Sequence, residues 1–122
     1  MPRIHSLIVV DDDVSFRNAL VALLDSMDYD AQGFASAEAF LAARADISCD
    51  CVITDVHMPG MNGFDLQRLL LSCNSKVPMI MITARAEPGL EAQALASGAT
   101  CLLKKPFESG ALIACIEAAL KP

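Results

Sequence analysis

Apolar residues run along this chain in two alternating rhythms, a short continuous stretch and then a longer one at helical spacing, and the alternation repeats five times. Leu7, Ile8, Val9 and Val10 form the first short run and stop abruptly at Asp11, as a strand buried in a parallel sheet does. Phe16, Leu20, Leu23, Leu24 and Met27 then recur at the spacing of one helix face. Ala31 to Ala35 is a weaker strand that carries Gly33 and suits an edge, and Ser36 can cap a helix running through Phe40 and Leu41. Cys51, Val52, Ile53 and Thr54 make the third strand, which ends at Asp55. Met58-Pro59-Gly60-Met61-Asn62-Gly63 is turn chemistry, and Leu66, Leu69, Leu70 and Cys73 mark the helix face after it. Val77 to Thr83 reads as the fourth strand, Pro88 and Gly98 bracket a fourth helix, and Cys101, Leu102 and Leu103 make a fifth strand. The last helix starts near Glu108 and carries Leu112, Ile113, Ile116 and Leu120.

Strands alternating with amphipathic helices imply an α/β fold: a doubly wound, five-stranded parallel sheet, (βα)5, with right-handed crossovers and helices on both faces. The 122 residues are what one such unit needs, so residues 1–122 are expected to form a single domain. Hydrophobic residues make up 54% and charged ones 20%, which excludes a disordered chain. The formal charge of −6 sets the field of the chain against direct binding of nucleic acid. The runs Leu7 to Val10 and Met79 to Ile82 fall far short of the roughly 20 residues of a membrane helix, and Met1 to Ser6 form no secretory signal. Cys49, Cys51, Cys73, Cys101 and Cys115 show neither CxxC spacing nor a neighbouring His pair, and read as reduced, mostly packed thiols of a cytoplasmic protein.

In an open α/β sheet, ligands bind beyond the carboxyl ends of the strands. The residues there are Asp11-Asp12-Asp13, Asp55, Thr83-Ala84 and Lys104-Lys105-Pro106. Like charges this close repel by roughly 4 kcal/mol per pair at a modest effective dielectric, so a positive partner is required. One lysine and one divalent cation balance Asp11, Asp12 and Asp55. Donors that are all oxygen select a hard ion, and Mg²⁺ suits a site that keeps several waters.

At these residues the chain resembles the receiver domains of two-component response regulators, end to end. The resemblance is carried by Val9-Val10-Asp11-Asp12, by Asp55-Val56-His57-Met58-Pro59-Gly60-Met61-Asn62-Gly63, by Ile82-Thr83-Ala84, and by Gly98-Ala99 leading to Lys105-Pro106-Phe107. It implies a flavodoxin-like strand order of 2-1-3-4-5 and a phosphorylatable signalling switch. Asp55 would accept a phosphoryl group from the phosphohistidine of a sensor histidine kinase, and the chain would catalyse that transfer and its own slow dephosphorylation, with no separate metabolic substrate. By the same resemblance Asp12 would ligate Mg²⁺ directly, Asp11 chiefly through water, and His57 through its backbone carbonyl. Thr83 would give its hydroxyl to a phosphoryl oxygen, Ala84 would leave room for access, and Lys105 would pair with the phosphate across a cis Lys105-Pro106 bond. The output would be a partner or a further domain, commonly one that binds DNA, outside this chain. The face made by the fourth helix, fifth strand and last helix would change on phosphorylation and could serve dimerisation. Two positions depart from the family pattern: Leu102 stands where Tyr or Phe is usual, and Cys101 where Asp is common.

Plainer roles compete at several positions. Asp13 is expected to cap the first helix, the His57 imidazole to lie in an exposed loop without a chemical role, and Lys104 to be a solvated charge. Cys49 and Cys51 favour packing over a redox bridge, the methionines fill gaps in the core, and the Ala-rich fourth helix is loosely anchored through Leu90 and Leu95. An alternative reading of the whole is a receiver-like interaction module not regulated by phosphorylation. A flavin-binding domain or an aspartyl phosphatase fits less well, because the acidic triplet repels nucleotide phosphate and His57 stands where a second catalytic Asp would be needed. Whether the chain acts alone or as the N-terminal part of a longer regulator is left open by these residues.

Overall fold

The computed structural model describes residues 4–85 and 87–121; the opening residues Met1 to Arg3 and the final Pro122, read above for signal and chain end, lie outside them. In chain order the elements are β1 (Ser6–Val10), α1 (Val14–Ser26), β2 (Asp30–Phe34), α2 (Ala37–Ala43), a 3-10 turn (Arg44–Asp46), β3 (Cys51–Asp55), α3 (Gly63–Ser72), β4 (Met79–Thr83), α4 (Leu90–Ala96), β5 (Cys101–Lys104) and α5 (Ser109–Leu120). All adjacent strands pair in parallel, and the sheet order is β2-β1-β3-β4-β5. This is the doubly wound sheet and the strand order expected.

Strand alternation divides the core into two layers. Ile8, Val10, Val52, Met79 and Met81 face α2, α3 and α4, where they meet Phe40, Leu66, Leu70 and Leu90. Leu7, Val9, Ile53, Ile80 and Ile82 point the other way, onto Leu20 and Leu24 of α1 and Leu112 and Ile116 of α5. A one-residue slip of register would exchange these two sets, so side-chain size on each face fixes the pairing. β3 and β4 are buried at every position, whereas β2, at one edge, leaves Asp30 and Gln32 exposed.

Local chemistry sets the helix starts. The Asp13 carboxylate accepts from Phe16 N at 3.1 Å and caps α1, and Ser36 Oγ accepts from Ala39 N at 3.0 Å and caps α2. Asn62 and Asp65 cap α3 reciprocally, each side chain accepting from the other's backbone N–H. α4 begins later than the position of Pro88 suggests, because Gly89 takes a left-handed conformation (φ +80°) and the helix starts only at Leu90. β4 also starts later, at Met79, with the Pro78 carbonyl accepting from Val52 N. The Lys105-Pro106 bond is cis, as expected.

Candidate functional site: a carboxylate cluster bridged by one lysine

Parallel strands end on one rim, and register decides which side chains meet there. Val10 pairs with Thr54, so Asp11 and Asp55 stand side by side one residue further on. Thr83 pairs with Lys104 across β4 and β5, and Lys105 N donates to the Thr83 carbonyl at 2.7 Å, which sends the Lys105 side chain back over the strand ends. Its Nζ lies 3.0 Å from Asp11 Oδ2 and 3.3 Å from Asp55 Oδ2.

Asp11, Asp12 and Asp55 each offer a carboxylate oxygen, and these oxygens lie within 4.8 Å of one another. Asp11 and Asp55 are buried, while Asp12 is exposed. Asp11 Oδ1 accepts from Asp13 N at 2.9 Å, and Asp55 Oδ1 accepts from His57 N at 3.0 Å. Each buried carboxylate therefore has one oxygen on a backbone amide and the other on Lys105. Burial, with the Asp55 charge adding to it, raises the Asp11 pKa above the usual carboxylate range despite the Asp13 amide and Lys105. For Lys105, burial works against the ammonium, but the hydrogen bond and charge of Asp11, joined by Asp55, outweigh it and raise its pKa.

Phe16 and Arg17 hold this arrangement from α1. Lys105 Nζ sits 3.9 Å from the centre of the Phe16 ring, which stacks edge-on against Phe107 at 6.1 Å. Arg17 donates to the Asp11 carbonyl at 2.8 Å. Nothing in the sequence marks Phe16 as more than a helix-face residue; its role depends on where α1 crosses the sheet.

Asp11, Asp12, Asp55 and Lys105 are brought together, while Thr83 and the His57 imidazole are engaged elsewhere. The Thr83 hydroxyl is engaged in its own loop, donating to the Arg85 carbonyl and accepting from Arg85 N, both at 3.1 Å. The His57 imidazole is half-buried, not free in solvent, and its Nε2 lies 3.2 Å from Glu87 Oε1, linking the loops after β3 and β4. Asp12, His57, Met58, Pro59, Asn62 and Arg85 line a cleft of about 390 Å³, onto which the exposed Asp12 faces. A larger cleft of about 440 Å³ lies beyond Thr83, between the loop after β4, Leu90 and Leu102. None of the three carboxylates lines it, and Leu102 does. Lys104 lines it and is exposed, in keeping with a solvated charge.

The comparisons with known proteins agree with this geometry. Residues 7–117 match the model of the response regulator receiver domain family. The chain belongs to that family. It is 38% identical to the transcriptional regulatory protein FixJ of Bradyrhizobium diazoefficiens over 93% of this chain and 55% of that protein. It is 39% identical to the transcriptional regulatory protein TdiR of Thauera aromatica over 94% of this chain and 51% of that one. The receiver therefore spans about half the length of the curated relatives it matches. Among solved structures, FixJ-N superposes with a TM-score of 0.89 at 32% identity, over 98% of this chain and 95% of that one. The Vibrio cholerae chemotaxis protein CheY4 gives 0.86 at 28% identity, over 97% of this receiver and all of the other chain. Among the described residues, no helix is long and apolar enough to cross a membrane.

Proposed function

We propose that this receiver domain is switched by phosphorylation of Asp55, supplied by a sensor histidine kinase in the cytoplasm. The observation that carries the reading is the bridge of Lys105 between Asp11 and Asp55, at 3.0 and 3.3 Å, inside a cluster of three carboxylates. One ammonium against three carboxylates leaves the cluster short of positive charge, and the exposed Asp12 opens onto a solvent-filled cleft. Donors that are all oxygen, partly open to water, fit Mg²⁺ held by Asp11, Asp12 and Asp55, with the His57 carbonyl as a further donor. When bound, the ion supplies charge neutralisation for an incoming phosphoryl group.

The chain's own residues supply position and electrostatics, which is most of what phosphoryl transfer needs. The backbone N–H of His57 holds Asp55 Oδ1, so the carboxylate has a fixed orientation and Oδ2 is the oxygen shared with Lys105. Phosphorylation removes charge from that oxygen, and Lys105 can then turn from the carboxylate to the phosphoryl oxygens. Thr83 must exchange its bonds with Arg85 for one to the phosphoryl group, and that exchange would move the loop leading into α4. α4 is seven residues long and anchored by Leu90 and Ala94 alone, with Leu95 half exposed, so it is the helix that yields most easily.

The output is read as a partner or a further domain, and the relatives named as transcriptional regulators favour one that binds DNA outside this chain. The face of α4, β5 and α5 is the surface through which it would be controlled or would dimerise. Incubation with Mg²⁺ and a small phosphodonor, followed by intact mass measurement, tests the reading. The natural chain is expected to gain one phosphoryl group and the Asp55→Asn chain none. Absence of an Asp55-dependent adduct would leave the unphosphorylated interaction module as the better reading. Amide exchange with a phosphoryl mimic should change protection within residues 87–107.

A further inference from the structure

Among the described residues five polar side chains are buried: Asp11, Asp55 and Thr83 at the rim, Thr54, whose hydroxyl donates to the Asp55 carbonyl, and Gln67. Gln67 stands apart from the rim, in the middle of α3. A buried amide costs free energy unless it is hydrogen-bonded. Its Nε2 donates to the carbonyl of Ser97, the residue that follows α4, at 3.2 Å. The last carbonyls of a helix have no partner within it. At α4 the next residues take up two of them, Gly98 N donating to the Leu95 carbonyl and Ala99 N to the Ala94 carbonyl, both at 3.1 Å, and Gln67 takes up a third from α3. Gly98 permits this arrangement twice over, since its φ is +106° and a Cβ there would stand 2.9 Å from Gln67 Nε2. Thr100 N then donates to the Met79 carbonyl at 2.7 Å, which carries the chain directly into the sheet. The other end of α4 has no such hold. Among the described residues, no side chain caps it, nothing lies within 4 Å of a Cβ built on Gly89, and residues 84, 85 and 87–89 are exposed.

We propose that Gln67 seats the C-terminal end of α4 on α3 and makes Ser97–Gly98 the pivot of that helix, so that α4 opens from its N-terminal end. Gln67 is thus a positioning residue that acts through the Ser97 carbonyl. Local opening starts where backbone hydrogen bonds are exposed and side-chain anchors are few, which describes the Gly89 end and not the Ser97 end. Each excursion of the helix is then a swing about a fixed point, with the torsional change absorbed at the loop that precedes Leu90. A cleft of about 280 Å³ between α3 and α4 reaches both Gln67 and Ser97. Water can therefore reach the Ser97 carbonyl when the amide is removed, and losing this bond does not require the chain to unfold. The inference does not rest on phosphorylation of Asp55: it concerns the helix of the unphosphorylated chain and holds equally for an unphosphorylated interaction module.

Native-state amide exchange of the full, unphosphorylated chain, read residue by residue by NMR, tests the proposal. Three backbone amides report: Ser97 and Ala99 at the seated end, and Gln93, which donates to the Gly89 carbonyl at the free end. A fourth, the buried Val52, donates to the Pro78 carbonyl within the sheet and follows unfolding of the whole chain. In the natural chain, protection at Ser97 and Ala99 is expected to exceed that at Gln93 by about tenfold or more, the factor that one buried hydrogen bond contributes to a local opening. Gln67→Met keeps an unbranched side chain of similar length and removes the donor. It should lower protection at Ser97 and Ala99 by about tenfold more than at Val52, and leave Gln93 changed no more than Val52, so that the two ends of α4 become alike. Gln67→Leu repeats the test should the methionine variant fold poorly, and the comparison of the two ends in the natural chain needs no variant. Gln93 as well protected as Ser97 and Ala99 in the natural chain would overturn the proposal. So would a variant in which Ser97, Ala99 and Val52 fall in parallel, the mark of lost packing alone, or one in which none of them changes.

Discussion

Lys105→Met removes the only ammonium, among the described residues, bonded to the carboxylate cluster while keeping an apolar side chain over Phe16. At 3.0 and 3.3 Å, with the effective dielectric of about 20 that suits a site near the surface, each attraction amounts to roughly 5 kcal/mol. Most of that gross gain is offset in the natural chain, because the ammonium and both carboxylates give up water to be there. Measured losses on deleting one partner of a buried pair run at about 3–5 kcal/mol, and that is the destabilisation expected in metal-free buffer at neutral pH. The remaining charges also predict how the loss varies. Without Lys105, repulsion between Asp11 and Asp55 pushes the already raised Asp11 pKa higher, so the folded form binds a proton more tightly than the unfolded one. The deficit should therefore shrink as pH falls from neutral toward the carboxylate range. Saturating Mg²⁺ should recover a part of it, since an ion that binds the folded site alone adds stability in proportion to the logarithm of its concentration over Kd. Urea unfolding of both chains, at pH 5 and pH 7, with EDTA or with Mg²⁺, measures all of this. A loss below about 1 kcal/mol in EDTA, or one insensitive to both pH and Mg²⁺, would refute the view that Lys105 is held by charge balance.

Asp12→Asn should weaken Mg²⁺ binding at least about tenfold while changing metal-free stability little, because Asp12 is exposed; titration calorimetry and melts of the same samples check both halves. Gly63→Ala should cost about 1–3 kcal/mol, since a Cβ there would stand 2.9 Å from the Asp55 carbonyl oxygen and 3.2 Å from Val56 Cα, neither of which can rotate away. Gly110→Ala, with nothing within 4 Å of the added carbon on α5, should stabilise by about 0.5–1 kcal/mol in the same urea assay. Burial lifts the Cys51 thiol from 9.0 to about 12 and the Cys49 thiol to about 11, so from about pH 9 upward the unfolded chain loses protons that the folded one keeps. Stability conferred by these thiols is full below pH 9 and falls as pH rises through the folded values, and Cys51→Val should flatten that decline in unfolding curves taken between pH 8 and pH 10.5.

The rim was legible in the sequence because it follows from strand direction alone. Once five apolar runs are read as parallel strands, Asp11, Asp55, Thr83 and Lys105 must all emerge at one end, whatever the details of the loops. What could not be read depends on torsions that the pattern does not encode. Thr83 sits where expected, yet its hydroxyl turns to Arg85 because a short loop offers both a carbonyl and an amide at 3.1 Å. Phe16 recurs at helical spacing like any core residue; it becomes the platform for Lys105 only through the angle at which α1 crosses β1. α4 starts two residues beyond Pro88 because Gly89 adopts φ +80°, a choice available to glycine that its neighbours cannot signal.

The two clefts on this rim bear on how a switch is built here. Asp12 lines one cleft, and Thr83 stands at the wall of the other, which reaches Leu90 and Leu102. On the proposed function, Thr83 would be the side chain that reports events at Asp55 to α4, and Leu102 offers no phenol or ring to swing into the space behind it. If Asp55 is phosphorylated as proposed, coupling would run through the backbone that Thr83 holds, the Arg85 turn and the loop carrying the His57 and Glu87 contact. If Thr83 releases Arg85, the weakly anchored α4 loses its fixed start, and the movement requires no rotamer exchange at position 102. On the proposed function, the threshold for switching would then lie in two hydrogen bonds and one loop contact, in place of the packing of an aromatic ring.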